Sequence, residues 1–240
     1  MNKNSNSYQI IYSAVMVVLV GAVLALIYMN LKPKQDENIA NDTRSQILGA
    51  LHITAASDDE IPATYEKYVT QDLLVDHKGN VVDSAKNCAF TVNMKKNMKL
   101  AEAERQLPVL KCTLDDGSIK YVIPVYGAGL WGPIWGYVAV DADGSTIYGA
   151  DFSHESETPG LGARITEDAF QQQFVDKQLY KGGEFKNVSV MKKGQKPTDG
   201  SDYVDAISGA TITSRGVSTM MHQCLKAYDP FFKKLQSATE

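Results

Sequence analysis

The chain has 240 residues, 44% of them hydrophobic and 22% charged, which is ordinary for a folded protein and allows one or two domains. A net charge of -4, with no long run of like charge, argues against nucleic acid as the main partner. Cys88, Cys112 and Cys224 form no C-x-x-C pair, which weakens zinc and iron–sulfur readings and leaves small buried thiols. A Cys88–Cys112 disulfide stays open in an oxidising compartment. Residues 1–9 read as a tail, followed by Ile10 to Met29, almost wholly apolar. About 20 such residues cross a bilayer core, so 10–31 is expected to be one transmembrane helix. A signal peptide has a shorter apolar core and a small-x-small cleavage site, and Tyr28-Met29-Asn30-Leu31-Lys32-Pro33 offers none. Tyr8, Tyr12 and Tyr28 suit the two interfacial belts. Lys3 lies on one side and Lys32 and Lys34 on the other, so charge gives no vote on orientation.

Residues 32–42 are polar and read as a linker, and 43–240 as one folded domain. Thr43 to Ala56 has helical spacing, with Ile47, Leu48, Leu51 and Ile53 apolar. Val75 to Val82 reads as two short strands turning at Lys78-Gly79-Asn80, and Asn93 to Leu107 as partly irregular. Ser118–Tyr126, Ile134–Val140 and Ser145–Phe152 alternate as strands separated by tight turns, which predicts an antiparallel meander. Thr166 is expected to cap a helix running to about Leu179, and Phe185 to Met191 to form a strand. Lys192 to Asp202 reads as a loop. From Thr213 to Tyr228, Val217, Met220, Met221, Cys224, Leu225 and Tyr228 make one helical stripe, with Thr213 as cap and Pro230 beyond its end. The fold class expected is α+β, an antiparallel sheet flanked by helices.

Three segments carry possible chemistry. Asp205-Ala206-Ile207-Ser208-Gly209-Ala210-Thr211 places small residues and a hydroxyl just before a helix. Outward N–H groups and the helix dipole favour a phosphate there, and Gly209 permits close approach of backbone to ligand. The same residues also read as a plain helix cap. Tyr126 to Gly136 sets glycines beside Trp131 and Trp135, which suits a flat aromatic ligand or a packed hairpin. His154 to Gly162 adds the Thr158 hydroxyl and the N–H groups around Gly160 and Gly162, able to cover a ring edge or a phosphate. His154 reads as a loop residue, and no metal site or catalytic dyad is expected.

Taken in order behind one membrane anchor, these segments resemble the FMN-bind family, and within it the NqrC branch, the C-type subunits of the sodium-translocating NADH:quinone reductases. The resemblance rests on G-L-W at Gly129 to Trp131, E-T-P-G-L-G at Glu157 to Gly162, and D-x-x-S-G-A-T at Asp205 to Thr211. Ser156 departs from a usual glycine, and Arg164 from an expected acidic or neutral residue. The resemblance implies covalent FMN joined by a phosphoester to Thr211, attached by a flavin transferase of the ApbE type that recognises Asp205 through Thr211. It implies FMN contacts from Ser208, Gly209, Ala210, Thr158, Leu161, Gly162, Leu130 and Trp131. It also implies a periplasmic domain on a single-pass inner-membrane anchor, in lipid, with the A, B, D, E and F subunits as partners. There it relays electrons, and the whole complex couples NADH oxidation and quinone reduction to sodium export. A Rnf-type G subunit, or an anchored scaffold without cofactor, are the alternatives.

Overall fold

The computed structural model describes residues 6–239. Lys3, which entered the orientation reading, and the start of the expected tail lie outside them. The chain divides into two units between Thr43 and Arg44.

In the first unit α1 (Asn6–Ala50) begins, and it continues into the second. Residues 6–9 and 32–42, expected as tail and linker, are helical. Pro33 lies inside the helix, where proline removes one hydrogen-bond donor. Local pairs act along the same stretch: Lys32 with Asp36 at 2.5 Å and the Thr43 hydroxyl donating to the Ile39 carbonyl at 3.0 Å. The apolar side chains from Ile10 to Leu31 are largely exposed. Among the described residues, α1 is the one helix long and apolar enough to cross a membrane.

The second unit is built on a six-stranded antiparallel sheet. Its strands are β1 (Val69–Val75), β2 (Val81–Asp83), β3 (Leu107–Thr113), β4 (Ile119–Ala128), β5 (Pro133–Asp141) and β6 (Ile147–His154), ordered β2-β1-β3-β4-β5-β6. The meander is as expected: Val125 faces Gly136 across β4–β5, and Val138 faces Ala150 across β5–β6. The strand β3 and the helix α2 (Ile61–Tyr68) go beyond what the sequence patterns predict. Successive strand residues point to opposite faces, and each face has its own core. Val109, Ile123, Val125, Val138, Val140 and Phe152 are buried on one; Leu110, Cys112, Val122 and Ala139 on the other, under Ile47, Leu48 and Leu51. All three cysteines are free thiols, so the open Cys88–Cys112 pairing is not formed; burial pushes Cys112 up to about 12.

The remaining elements are α3 (Met94–Asn97), α4 (Asp168–Gln171), β7 (Tyr180–Lys181), β8 (Glu184–Phe185), β9 (Val188–Met191), β10 (Asp202–Asp205), α5 (Thr211–Lys226) and α6 (Asp229–Thr239). The helix expected from Thr166 to Leu179 is broken into one α-turn flanked by 3-10 turns. Thr166 does not cap it: Glu167 holds the N-cap position, and the Thr166 hydroxyl donates to the Ala163 carbonyl. What holds this segment is packing, since Phe170 and Phe174 meet each other and Phe152 edge-on or tilted at 5.2–6.2 Å. The last strand region also splits, at Asn187, which has φ +63° between β8 and β9. Pro230 lies beyond the end of α5, as expected, and in the first turn of α6, where its missing N–H costs nothing.

Candidate functional site

The short parallel pair β9–β10 leads directly into α5. The crossing is a tight turn, Ala206 to Ala210, anchored at both ends. Ala206 N–H donates to the Met191 carbonyl at 2.7 Å, and Ile207 N–H donates to the Ser214 hydroxyl at 3.1 Å. Gly209 takes φ +78°, and a Cβ there would lie 2.9 Å from Leu161 Cδ2. The turn therefore favours glycine for its dihedral, and the close approach sets it against the end of the Leu161 side chain in the E-T-P-G-L-G loop.

α5 starts at Thr211 with Ala210 in the N-cap position and no side-chain cap. The expectation of Thr213 as cap is overturned: Thr213 is fully buried within the first turn, and its hydroxyl donates to Glu157 Oε2 at 2.6 Å. Thr211 itself is exposed. The first-turn N–H groups of a helix have no intrahelical acceptors, so this turn presents free donors and the positive end of a 16-residue dipole beside an accessible hydroxyl.

A groove of about 600 Å³ opens beside that turn. It is lined by Ser208, Gly209 and Thr211, by Ser214 and Arg215 of α5, and by Lys192 and Lys193 from the loop after β9. These three cations do not stand out in the sequence. Arg215 is hidden within an amphipathic helix, and the lysines lie in a loop whose return to the turn depends on the β9–β10 pairing.

The other two segments meet at Glu157, a carboxylate only 4% exposed. Trp131 N–H donates to Oε1 at 2.8 Å. Side chains at Gly129 or Gly162 would collide with the same carboxylate. Burial works to raise the Glu157 pKa, but the Thr213 hydroxyl and the backbone N–H groups of the tryptophan loop outweigh it and hold the group below the ordinary glutamate value. In the sequence Glu157 is one letter of a motif, and no signal separates it from Glu155. Its own N–H donates to His154 Nδ1 at 3.2 Å, and the Ser156 hydroxyl donates to the Trp131 carbonyl at 3.2 Å, so the residue that departs from glycine adds a tie to the tryptophan loop. Arg164, the second departure, pairs with Glu167 at 2.9 Å.

The structure thus brings together Gly209 with Leu161, and Glu157 with Trp131 and Thr213. Gly162 is buried, whereas Thr158 is exposed; its carbonyl accepts the N–H groups of Leu161 and Ala163. Leu130, Trp131 and Leu161 remain 42–66% exposed, as does Ile212 at 56%. Asp205 lies at the end of β10, its N–H donating to Gln173 Oε1 at 2.8 Å. The second tryptophan takes no part: Trp135 Nε1 donates to Gln46 on α1. An apolar ledge, an exposed hydroxyl and a cationic groove at a helix start suit a ligand with a flat ring and a phosphate.

Residues 129–226 match the family model of the FMN-binding domain. The C-type subunit of the Na(+)-translocating NADH-quinone reductase from Neisseria meningitidis is 30% identical, over 99% of this chain and 97% of that one. The crystal structure of its counterpart from Parabacteroides distasonis is 43% identical with a TM-score of 0.77, covering 84% of this chain and 96% of that chain. Shewanella oneidensis NqrC is 30% identical with a TM-score of 0.66, covering 82% and 98%. The chain belongs to the NqrC family, the C-type subunits of Na(+)-translocating NADH-quinone reductases.

Proposed function

We propose that this chain carries FMN on Thr211 through a phosphoester and relays electrons within a sodium-translocating NADH-quinone reductase. The observation that carries the reading is the exposed Thr211 hydroxyl at the uncapped start of α5, beside Lys192, Lys193 and Arg215. The donor set fits the group: a phosphate diester keeps one negative charge, and three cations with a helix N-terminus favour an anion there. Bound FMN supplies the electron-accepting chemistry. The chain's residues do the rest. Thr211 fixes the cofactor covalently, Ser208, Gly209 and Ala210 form the turn beneath the phosphate, and Leu130, Trp131, Leu161, Thr158 and Gly162 border the ring. Asp205, at the end of β10, is part of the segment read by an ApbE-type flavin transferase.

The relatives' names support a place among the other Nqr subunits, and the apolar stretch of α1 supports a single-pass membrane anchor; an inner-membrane anchor with the FMN domain on the periplasmic side is proposed from the family resemblance alone. The test is to co-express the full chain with the transferase and compare it with Thr211→Ala. Covalent flavin is expected in the parent and none in the variant; a variant that keeps covalent FMN overturns the assignment.

A further inference from the structure

We propose that Glu157 is a positioning residue of the flavin site, tying the tryptophan loop to the first turn of α5 and placing a fixed negative charge that lowers the potential of the bound flavin. The inference rests on the Thr211 reading for its redox part and on geometry alone for its positioning part.

The geometry is specific. One carboxylate is shared between two elements far apart in sequence. Oε1 takes the Trp131 N–H at 2.8 Å, and Oε2 takes the Thr213 hydroxyl at 2.6 Å. Each oxygen of the buried acid thus has a donor, which is the condition for keeping a charge inside a protein. The donor residue Trp131 and its neighbour Leu130 are the exposed apolar pair read as bordering the ring. The other tied residue, Thr213, lies two positions from Thr211. The groove beside Thr211 is cationic, so opposite charges flank the attachment turn: Lys192, Lys193 and Arg215 on the groove side, Glu157 under the loop. Hydrogen bonds and charge close to a flavin ring tune its electronics. A fixed anion disfavours added electrons.

Glu157→Gln separates these roles from mere packing. The amide is isosteric, and its NH2 can donate to Thr213 Oγ1 while its carbonyl faces the loop. It removes the charge and leaves a neutral oxygen for the Trp131 N–H. Thr213→Val keeps the charge and cuts the tie to α5. The experiment uses the full chain matured with the flavin transferase and reads two quantities, the midpoint potential by spectroelectrochemical titration and the amide exchange of residues 130–132 and 212–214.

Glu157→Gln is expected to retain flavin on Thr211, shift the potential upward, and speed exchange at 130–132 by about tenfold or more, a factor set by losing one charged acceptor. Thr213→Val is expected to leave the potential near the parent value and speed exchange at 212–214. An unchanged potential in Glu157→Gln overturns the electrostatic role, and unchanged exchange in both variants overturns the positioning role. If the parent carries no covalent flavin, the Thr211 reading fails by itself, and the exchange data still decide the positioning role.

Discussion

Gly209 shows how much one residue of the motif has to do. Its φ of +78° is a region where a Cβ costs about 1–2 kcal/mol, and the added methyl would also press on Leu161. Gly209→Ala is therefore expected to lose about 2 kcal/mol in urea unfolding and to lower the yield of flavinylated protein. Unchanged stability would contradict the left-handed turn. This residue is legible in the sequence because its constraint is local: a glycine before a hydroxyl and an amphipathic helix. Glu157 is not, because its meaning depends on contacts 26 and 56 positions away. Thr213 misleads for the same reason. A threonine near a helix start is usually a cap, but here the hydroxyl faces a buried acid.

At the scale of elements, α5 is held close to the sheet by small residues. A Cβ at Gly127 of β4 would lie 2.7 Å from Met220 Cβ, and one at Gly216 would collide with the Ala128 carbonyl. Gly216→Ala faces two opposed effects. Helix propensity favours alanine by about 1 kcal/mol, whereas forcing α5 away from β4 costs about 1–3 kcal/mol. The contact is with backbone, which cannot swing aside, so net destabilisation is expected in denaturant unfolding; a more stable variant would refute the close packing. The meander and α5 are legible because period-two and 3.6-residue patterns are strong in Ile119–Phe152 and Val217–Tyr228. The 162–174 segment is not. Its phenylalanines have a helix-like spacing, and only their packing on Phe152 decides that the backbone breaks into short turns.

For the molecule as a whole, the face of the sheet opposite α5 sets a pH dependence. Asp151 on β6 lies against Gly49, near the end of α1. Burial, helped by the charge of Asp168, pushes its carboxyl up to about 7. The folded protein then keeps a proton that the unfolded chain releases near pH 3.9, so stability falls as pH rises from about 4 to about 7 and levels off above. Asp151→Asn removes that loss. It is expected to match the parent at about pH 4 and to exceed it by roughly 1–3 kcal/mol at about pH 8, a discounted value for a partly exposed group. A constant difference across that range would show that Asp151 titrates normally. None of this is legible in the sequence, where Asp151 is one acid in a strand and Gly49 one glycine in a helix.

The central claim is that Thr211 is the point of covalent FMN attachment, and intact mass with peptide mapping of the full chain, co-expressed with the flavin transferase, tests it most directly. The account predicts a gain equal to FMN less one water, located on the peptide containing Ser208 to Thr211 and absent from Thr211→Ala. An unmodified mass, or flavin on any other residue, would contradict it.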